Sequence, residues 1–280
     1  MSEFNAYSVL MSVYAGENPA FLREAIDSMY RQTIPTDDFV LVCDGPLADG
    51  LEAILTSTLQ RFPDSFHVVH LPEHRGLAPA LNAGLRHCRH ELIARMDSDD
   101  ISDPQRCAHQ LSRFREDPGL AILSGTVAEF EDSPANITGQ RALPAAYPDI
   151  CRFSRKRSPF NHPAVMYRKS AVLAAGGYDE SYPYFEDYDL WIRMLQTGFR
   201  GENLREPILY MRAGTGMCRR RSGPDYARRM LHFHRSLRCQ GWISLRDYLC
   251  GALPHALVCL LPVPMVRQVY RALHRQEVAL

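Results

Sequence analysis

Over the first hundred residues, short apolar runs alternate with stretches in which apolar side chains recur every three or four positions. Residues 7–13 (YSVLMSV), 39–43 (FVLVC), 66–71 and 92–96 are the short runs. They read as strands, and the continuous FVLVC run as a central parallel strand buried on both faces. Between them, residues 19–31 place Phe21, Leu22, Ala25, Ile26 and Met29 on one helical face, and 51–62 and 76–87 also read as helices. This rhythm predicts an α/β fold, a mostly parallel sheet flanked by helices. Ligands of such sheets bind beyond the carboxyl ends of the strands. Polar groups stand at three such ends: Tyr14-Ala15-Gly16-Glu17, Asp44-Gly45 and Asp97-Ser98-Asp99.

The pattern is less regular afterwards. Residues 120–130 and 163–167 are candidate strands, 170–175 a short helix ending at Gly176-Gly177, and 207–211 a last strand. Residues 187–196 read as a helix with Leu190, Trp191, Met194 and Leu195 on its apolar side. Glu186, Asp187 and Asp189 fall in its first turn, where the helix dipole favours negative charge. Beyond Arg212 the chain changes character. Arg219, Arg220 and Arg221 form a basic knot, and 226–238 reads as a basic helix. Residues 248–266 are apolar but carry Pro254, His255, Pro262 and Pro264, followed by Arg267, Arg271, His274 and Arg275. The prolines argue against a bilayer span, leaving either a packed tail or an interfacial segment, peripheral to a membrane.

At 280 residues and 46% hydrophobic content, the chain suits one large domain, or one domain with an appendage. The 32 basic residues balance 32 acidic ones, so bulk charge gives no reason to expect nucleic acid as a partner. Eight cysteines are scattered without a CxxC, which speaks against a thiolate metal site or a redox pair. The N-terminus lacks a basic start and a long apolar run, so a cytoplasmic location with free thiols is expected.

The chemistry concentrates at residues 97–100. Three carboxylates at the end of a buried strand repel one another unless a cation sits among them. Asp97 and Asp99 flank Ser98, and the set suits a hard divalent ion that also grips a phosphate. Helix capping is the competing role, but Asp103 before Pro104 fits that task and leaves the earlier carboxylates available. Asp44 reads either as a turn residue or as an acceptor for the imide N–H of uracil or thymine. Arg75, beside the permissive Gly76, is a candidate contact to a nucleotide or diphosphate. Glu186 and Asp187 follow the aromatic stretch Tyr182-Pro183-Tyr184-Phe185, which offers a general base beside rings that stack on sugar faces. His162 reads either as an acceptor-site or as a structural residue.

These segments, in their order, resemble the family 2 glycosyltransferases, inverting enzymes of the GT-A fold. The resemblance runs through residues 8–33, LVCDG (41–45), HRGLAPALNAGL (74–85), ARMDSDDISDPQR (94–106), 161–180 and FEDYDLWIRM (185–194). It is nearest to bacterial transferases of exopolysaccharide and lipopolysaccharide-type glycan assembly. It implies a glycosyltransferase domain over 1–215, with a nucleotide-binding half (1–100) and an acceptor half (101–215), and a helical extension over 216–280.

The roles that follow from the resemblance are specific. Asp97-Ser98-Asp99 stands at the DxD motif, with Asp99 the direct ligand of Mg2+ or Mn2+ on the nucleotide diphosphate, Asp97 its partner toward both the metal and the ribose of the nucleotide-sugar, and Asp100 supporting the loop. Tyr14, Glu17, Asp44, Arg75, Asn82, Ser98 and Arg212 would serve the nucleotide-sugar, Asp44 by reading the uracil. Asp187 stands as catalytic base with Glu186 its neighbour, and His162 and Trp191 fall on the acceptor side. The QxxRW motif of processive synthases is missing, which implies single transfers. Ala213-Gly214-Thr215-Gly216 replaces the His- and Ser-rich loop of relatives and leaves a third protein metal ligand unassigned; Arg212 or Arg219–Arg221 would then cover the diphosphate. The implied reaction moves one sugar, UDP-linked, to a glycan or lipid-linked acceptor. A nucleotidyltransferase or nucleotide-sugar hydrolase with the same metal site, and a non-catalytic binding module, are the alternatives. AGENPAF lacks the Gly-rich basic loop of pyrophosphorylases.

Overall fold

The computed structural model describes residues 6–213, 222–261 and 265. The Arg219–Arg221 knot and the basic segment from Arg267 lie outside them. The chain divides into two compact units, one of residues 1–151 and 158–212, the other of 152–157 and 213–280.

The first unit opens with the expected alternation: β1 (Ser8–Val13), α1 (Pro19–Tyr30), β2 (Asp38–Cys43), α2 (Asp49–Arg61), β3 (Phe66–His70), α3 (Leu77–His87) and β4 (Leu92–Met96). β5 (Ile101–Ser102), α4 (Arg106–Glu116), β6 (Leu120–Phe130), β7 (Ile137–Arg141), α5 (Tyr147–Phe153), β8 (Met166–Arg168), α6 (Lys169–Ala174), α7 (Glu186–Gln196) and β9 (Arg200–Arg212) follow. One sheet runs β3-β2-β1-β4-β8-β6-β9-β5, with β7 on β6. β3, β2, β1 and β4 are parallel, as is the long β6–β9 pair, while β8 runs antiparallel to both β4 and β6. The fold is therefore α/β with a mostly parallel sheet flanked by helices.

Burial explains the local choices. Every residue of β2 and of β4 is buried, which is why these strands, Asp38 and Arg95 apart, read as apolar runs. α1 starts at an Asn18 cap, whose Oδ1 accepts the Ala20 N–H at 2.9 Å, with Pro19 at its first position. α3 lies close on β1: a Cβ at Gly84 would meet Leu10 Cδ1 at 2.2 Å.

β5, β7 and α5 were not expected, β9 begins seven residues before the expected 207–211, and two further differences lie beside β4. The strand expected over 163–167 begins only at Met166, because His162–Ala164 form a 3-10 turn around Pro163. α4 was legible only as a cap. Its buried face carries Arg106 and Gln110, polar residues that break the apolar period. Arg106 donates to the carbonyls of Arg95 (2.7 Å) and Val165 (3.1 Å), and Gln110 to those of Leu123 and Ala164. This helix thus ties down backbone beside β4 and β6 by hydrogen bonds.

In the second unit, α8 (Pro224–Cys239) is followed by a helical run of three parts: α9 (Leu245–Asp247), a π turn (Tyr248–Ala252) and α10 (Leu253–Cys259). No helix among the described residues is long and apolar enough to cross a membrane.

Candidate active site

The site forms where β1, β2 and β4 end. β4 delivers Asp97, Ser98, Asp99 and Asp100, and one oxygen from each of the three carboxylates lies within 4.8 Å of the others. Asp100 is 2% exposed; its Oδ1 accepts the Arg212 N–H at 2.9 Å, while its Oδ2 has no hydrogen-bond partner. Burial, with Asp97 and Asp99 beside it, holds the Asp100 carboxyl well above the usual carboxylate range. An all-oxygen trio with an unmatched buried oxygen fits a hard divalent cation, which would relieve the repulsion. Asp100 therefore belongs with Asp97 and Asp99, rather than serving the loop alone.

Arg95 lies under this cluster. It is 1% exposed, and its Nη2 sits 2.5 Å from Asp97 Oδ1. Its Nε and Nη1 have no hydrogen-bond partner. The sequence reading passed over it, although a charge inside the apolar run LIARM is itself a signal, since a buried charge needs a partner.

The β1 loop closes one side. Ser98 Oγ donates to Glu17 Oε2 at 2.7 Å, and Glu17 Oε1 accepts the Asn18 N–H at 2.8 Å, so Glu17 fastens the DSD turn to the start of α1. At the end of β2, Asp44 is 4% exposed and accepts the N–H groups of Arg75 (2.7 Å) and Gly76 (2.8 Å). His74 Nδ1 lies 2.8 Å from the same carboxylate, and the Tyr14 ring is 6.0 Å from the His74 ring. Gly45 and Gly76 have φ of +86° and +98°; a Cβ at Gly45 would come within 2.7 Å of His74 N. Only glycine lets these loops close around Asp44. The Arg75 side chain turns to Glu180, 3.2 Å away.

β9 brings Arg212 between the carboxylate turn and α1. Its Nε donates to the Asp99 carbonyl (3.1 Å), its Nη2 pairs with Glu24 (2.6 Å), and its guanidinium lies 3.8 Å from the Phe21 ring centre. Arg212 is thus anchored at the carboxylate cluster.

α7 supplies Glu186 and Asp187. Burial and the neighbouring Asp187 push the Glu186 carboxyl up to about 7, and Glu186 Oε2 has no hydrogen-bond partner. Arg95 acts electrostatically on Glu186, linking the start of α7 to the β4 end. Just before α7, Tyr184 has φ +74°, the one non-glycine residue with positive φ among the described residues, and its side chain is exposed. Backbone strain of this kind clusters at active sites and ligand clamps.

Two expected contacts need correction. Trp191 is wholly buried against Phe160, His162 and Tyr167, so its face is not open to an acceptor. Asn82 spends its amide on the backbone of Tyr178, accepting its N–H at 2.9 Å and donating to its carbonyl at 2.7 Å. The amide thus clamps α3 to the chain ahead of α7. His162 is half-buried, with Nε2 3.1 Å from the Tyr178 hydroxyl. Burial and Arg95 lower its pKa well below the ordinary value, which keeps the imidazole neutral.

Comparison with known proteins defines the class. The chain superposes on a mannosyltransferase from Pyrobaculum calidifontis, solved with GDP-Man and Mn2+, with TM-score 0.64 and 19% identity over 95% of this chain and 79% of that one. It also superposes on Staphylococcus aureus TarS solved with UDP, with TM-score 0.58 and 17% identity, covering 81% of this chain and 63% of that one. The fold is the GT-A fold. An uncharacterized glycosyltransferase of Haemophilus influenzae is 38% identical over 96% of this chain and 99% of its own length. The amylovoran biosynthesis glycosyltransferase AmsE of Erwinia amylovora is 35% identical (94% and 97%). An Escherichia coli UDP-Gal:alpha-D-GlcNAc-diphosphoundecaprenol beta-1,3-galactosyltransferase is 33% identical (96% and 97%). The protein is a glycosyltransferase. The model of glycosyl transferase family 2 matches residues 8–176, and the chain belongs to that family.

Proposed function

We propose that this enzyme transfers a single sugar from a UDP-sugar to a hydroxyl of a glycan or lipid-linked acceptor in bacterial surface polysaccharide synthesis, with inversion at the anomeric carbon. The observation that carries this reading is the placement of the Asp97–Asp99–Asp100 cluster at the end of β4 and of the Asp44–His74–Tyr14 group around the ends of β2 and β1, in a sheet where β1 lies between β2 and β4. One suits a diphosphate with its cation, the other a base with an imide N–H. The names of the Escherichia coli and Erwinia amylovora relatives, which this chain matches over nearly their full lengths, favour a UDP-sugar donor, a lipid-linked acceptor and polysaccharide synthesis.

Asp97 and Asp99, with Asp100 alongside, would hold Mg2+ or Mn2+; the bound ion supplies neutralising charge for the departing diphosphate. The neighbour solved with Mn2+ favours such a cation. Asp44, its carboxylate fixed by two backbone N–H groups, presents a preset acceptor to the base, and Tyr14 offers an exposed ring beside it. Asp187 removes the proton of the acceptor hydroxyl, which attacks from the face opposite the diphosphate. Glu186, its carboxyl pushed up to about 7 by burial and by Asp187, stands beside that base as a proton-holding neighbour. Tyr184 supplies the acceptor-side ring that the buried Trp191 does not.

Incubation with a panel of UDP-sugars and Mn2+, with and without a lipid-linked or glycan acceptor, tests the reading. UDP release only in the presence of acceptor is expected. Release without acceptor would make the protein a nucleotide-sugar hydrolase.

A further inference from the structure

The helical run Leu245–Asp247, Tyr248–Ala252 and Leu253–Cys259 has its apolar side outward. Leu245, Leu249, Leu253 and Leu257 recur every fourth residue and Leu260 follows, and all five are between 38% and 60% exposed. Ala252, Ala256 and Cys259 are buried along the adjoining face, and α10 packs against α8. Residues four apart drift by about 40° around an α-helix. The wider π turn around Leu249 takes back part of that drift, so the leucines hold to one ridge. The run is firmly begun: Ser244 and Asp247 form a reciprocal capping box. Surface helices of globular proteins turn such a stripe inward, and a contiguous exposed ridge marks a docking surface.

Charge identifies what the ridge meets. The chain as a whole is neutral, yet residues 213–280 contain eleven arginines against three carboxylates. The segment 152–157, part of the same compact unit, adds Arg152, Arg155, Lys156 and Arg157. Arg155 and Lys156 act electrostatically on Asp247, at the start of the ridge, and Arg246 lies next to Leu245. A second copy of so basic a unit would be repelled. An apolar ridge edged by arginine and lysine fits the interface of an anionic lipid bilayer, with leucines among the acyl chains and cations at the headgroups.

We propose that the leucine ridge of the C-terminal unit docks this glycosyltransferase on an anionic membrane surface, lying in the interface without spanning it. The proposal goes beyond the transfer reaction, and its deciding measurement, vesicle flotation, uses neither donor nor acceptor, so its failure leaves that reaction untouched.

The full-length protein is floated with vesicles of phosphatidylcholine alone and of equal parts phosphatidylcholine and phosphatidylglycerol. Wild type should float with the anionic vesicles only, and less as salt rises. Leu249→Ser with Leu257→Ser should weaken that binding by at least about tenfold. The thermal unfolding and sugar transfer to a water-soluble acceptor should be unchanged, because neither leucine lies in the catalytic site. Three results would overturn the proposal: no flotation of wild type, equal flotation with neutral vesicles, or full binding by the leucine variant. A wild-type dimer that the leucine variant dissociates, without vesicle binding by either, would assign the ridge to a second copy instead.

Discussion

Arg95 Nη2 lies 2.5 Å from Asp97 Oδ1, joining a guanidinium that is 1% exposed to the carboxylate at the open end of β4. This pair fixes the first acid of the DSD turn from below, while Glu17 fixes its serine from the side. Arg95→Met should cost about 1–2 kcal/mol in denaturant unfolding, less than a fully buried pair because Asp97 keeps water contact. It should also reduce the thermal stabilisation given by a nucleotide-sugar. An unchanged ligand response would restrict Arg95 to packing.

Asp187→Asn should lower transfer by about 10²–10⁴-fold. Donor affinity, read by isothermal titration, should stay within about twofold. Turnover equal to wild type would remove Asp187 from the role of base.

Glu186 gives a pH signature. Its carboxyl is raised from 4.5 to about 7 in the folded chain by burial and by Asp187. A raised folded pKa means that the folded state binds the proton more tightly. The corresponding stability is full below 4.5 and is lost as pH climbs through about 7. Glu186→Gln should flatten this part of the stability profile, by about 2–3 kcal/mol between pH 4.5 and 7.5. Parallel wild-type and variant profiles over that range would refute the shift.

Asp99→Asn tests the carboxylate trio. The variant should lose most of the melting-temperature increase that UDP with Mn2+ gives the wild type, and chelation of the metal should do the same to the wild type. Both losses are measurable by differential scanning fluorimetry without any turnover.

Asn82→Ala should cost about 1–3 kcal/mol of stability, because the Tyr178 backbone N–H and carbonyl lose their partners. Donor affinity measured on the folded fraction should change little. A large loss of affinity with unaltered stability would return Asn82 to the nucleotide.

The strand-end acids could be read directly from the chain, because local pattern and ligand chemistry coincide there. A buried strand such as FVLVC or, Arg95 apart, LIARM is apolar, so Asp44 and Asp97–Asp100 stand out at its end. What was misread depends on contacts far apart in sequence. Asn82 lies in a motif that marks the nucleotide half, yet its partner is Tyr178, 96 residues away. Trp191 shows the aromatic chemistry of a sugar contact, but Phe160, Tyr167 and His162 converge on it and bury it.

The sequence alone determined the βα alternation, the end of the sheet at which the site forms and the acids that populate it, because hydrophobic period and charge repulsion are local properties. Tertiary structure decided which of those groups are free to act. It placed Arg95 beneath Asp97, drew Asp100 into the cluster, committed Asn82 to backbone and turned the leucines of the C-terminal run outward. Each of these follows from burial and partner geometry, which arise only when distant segments pack together.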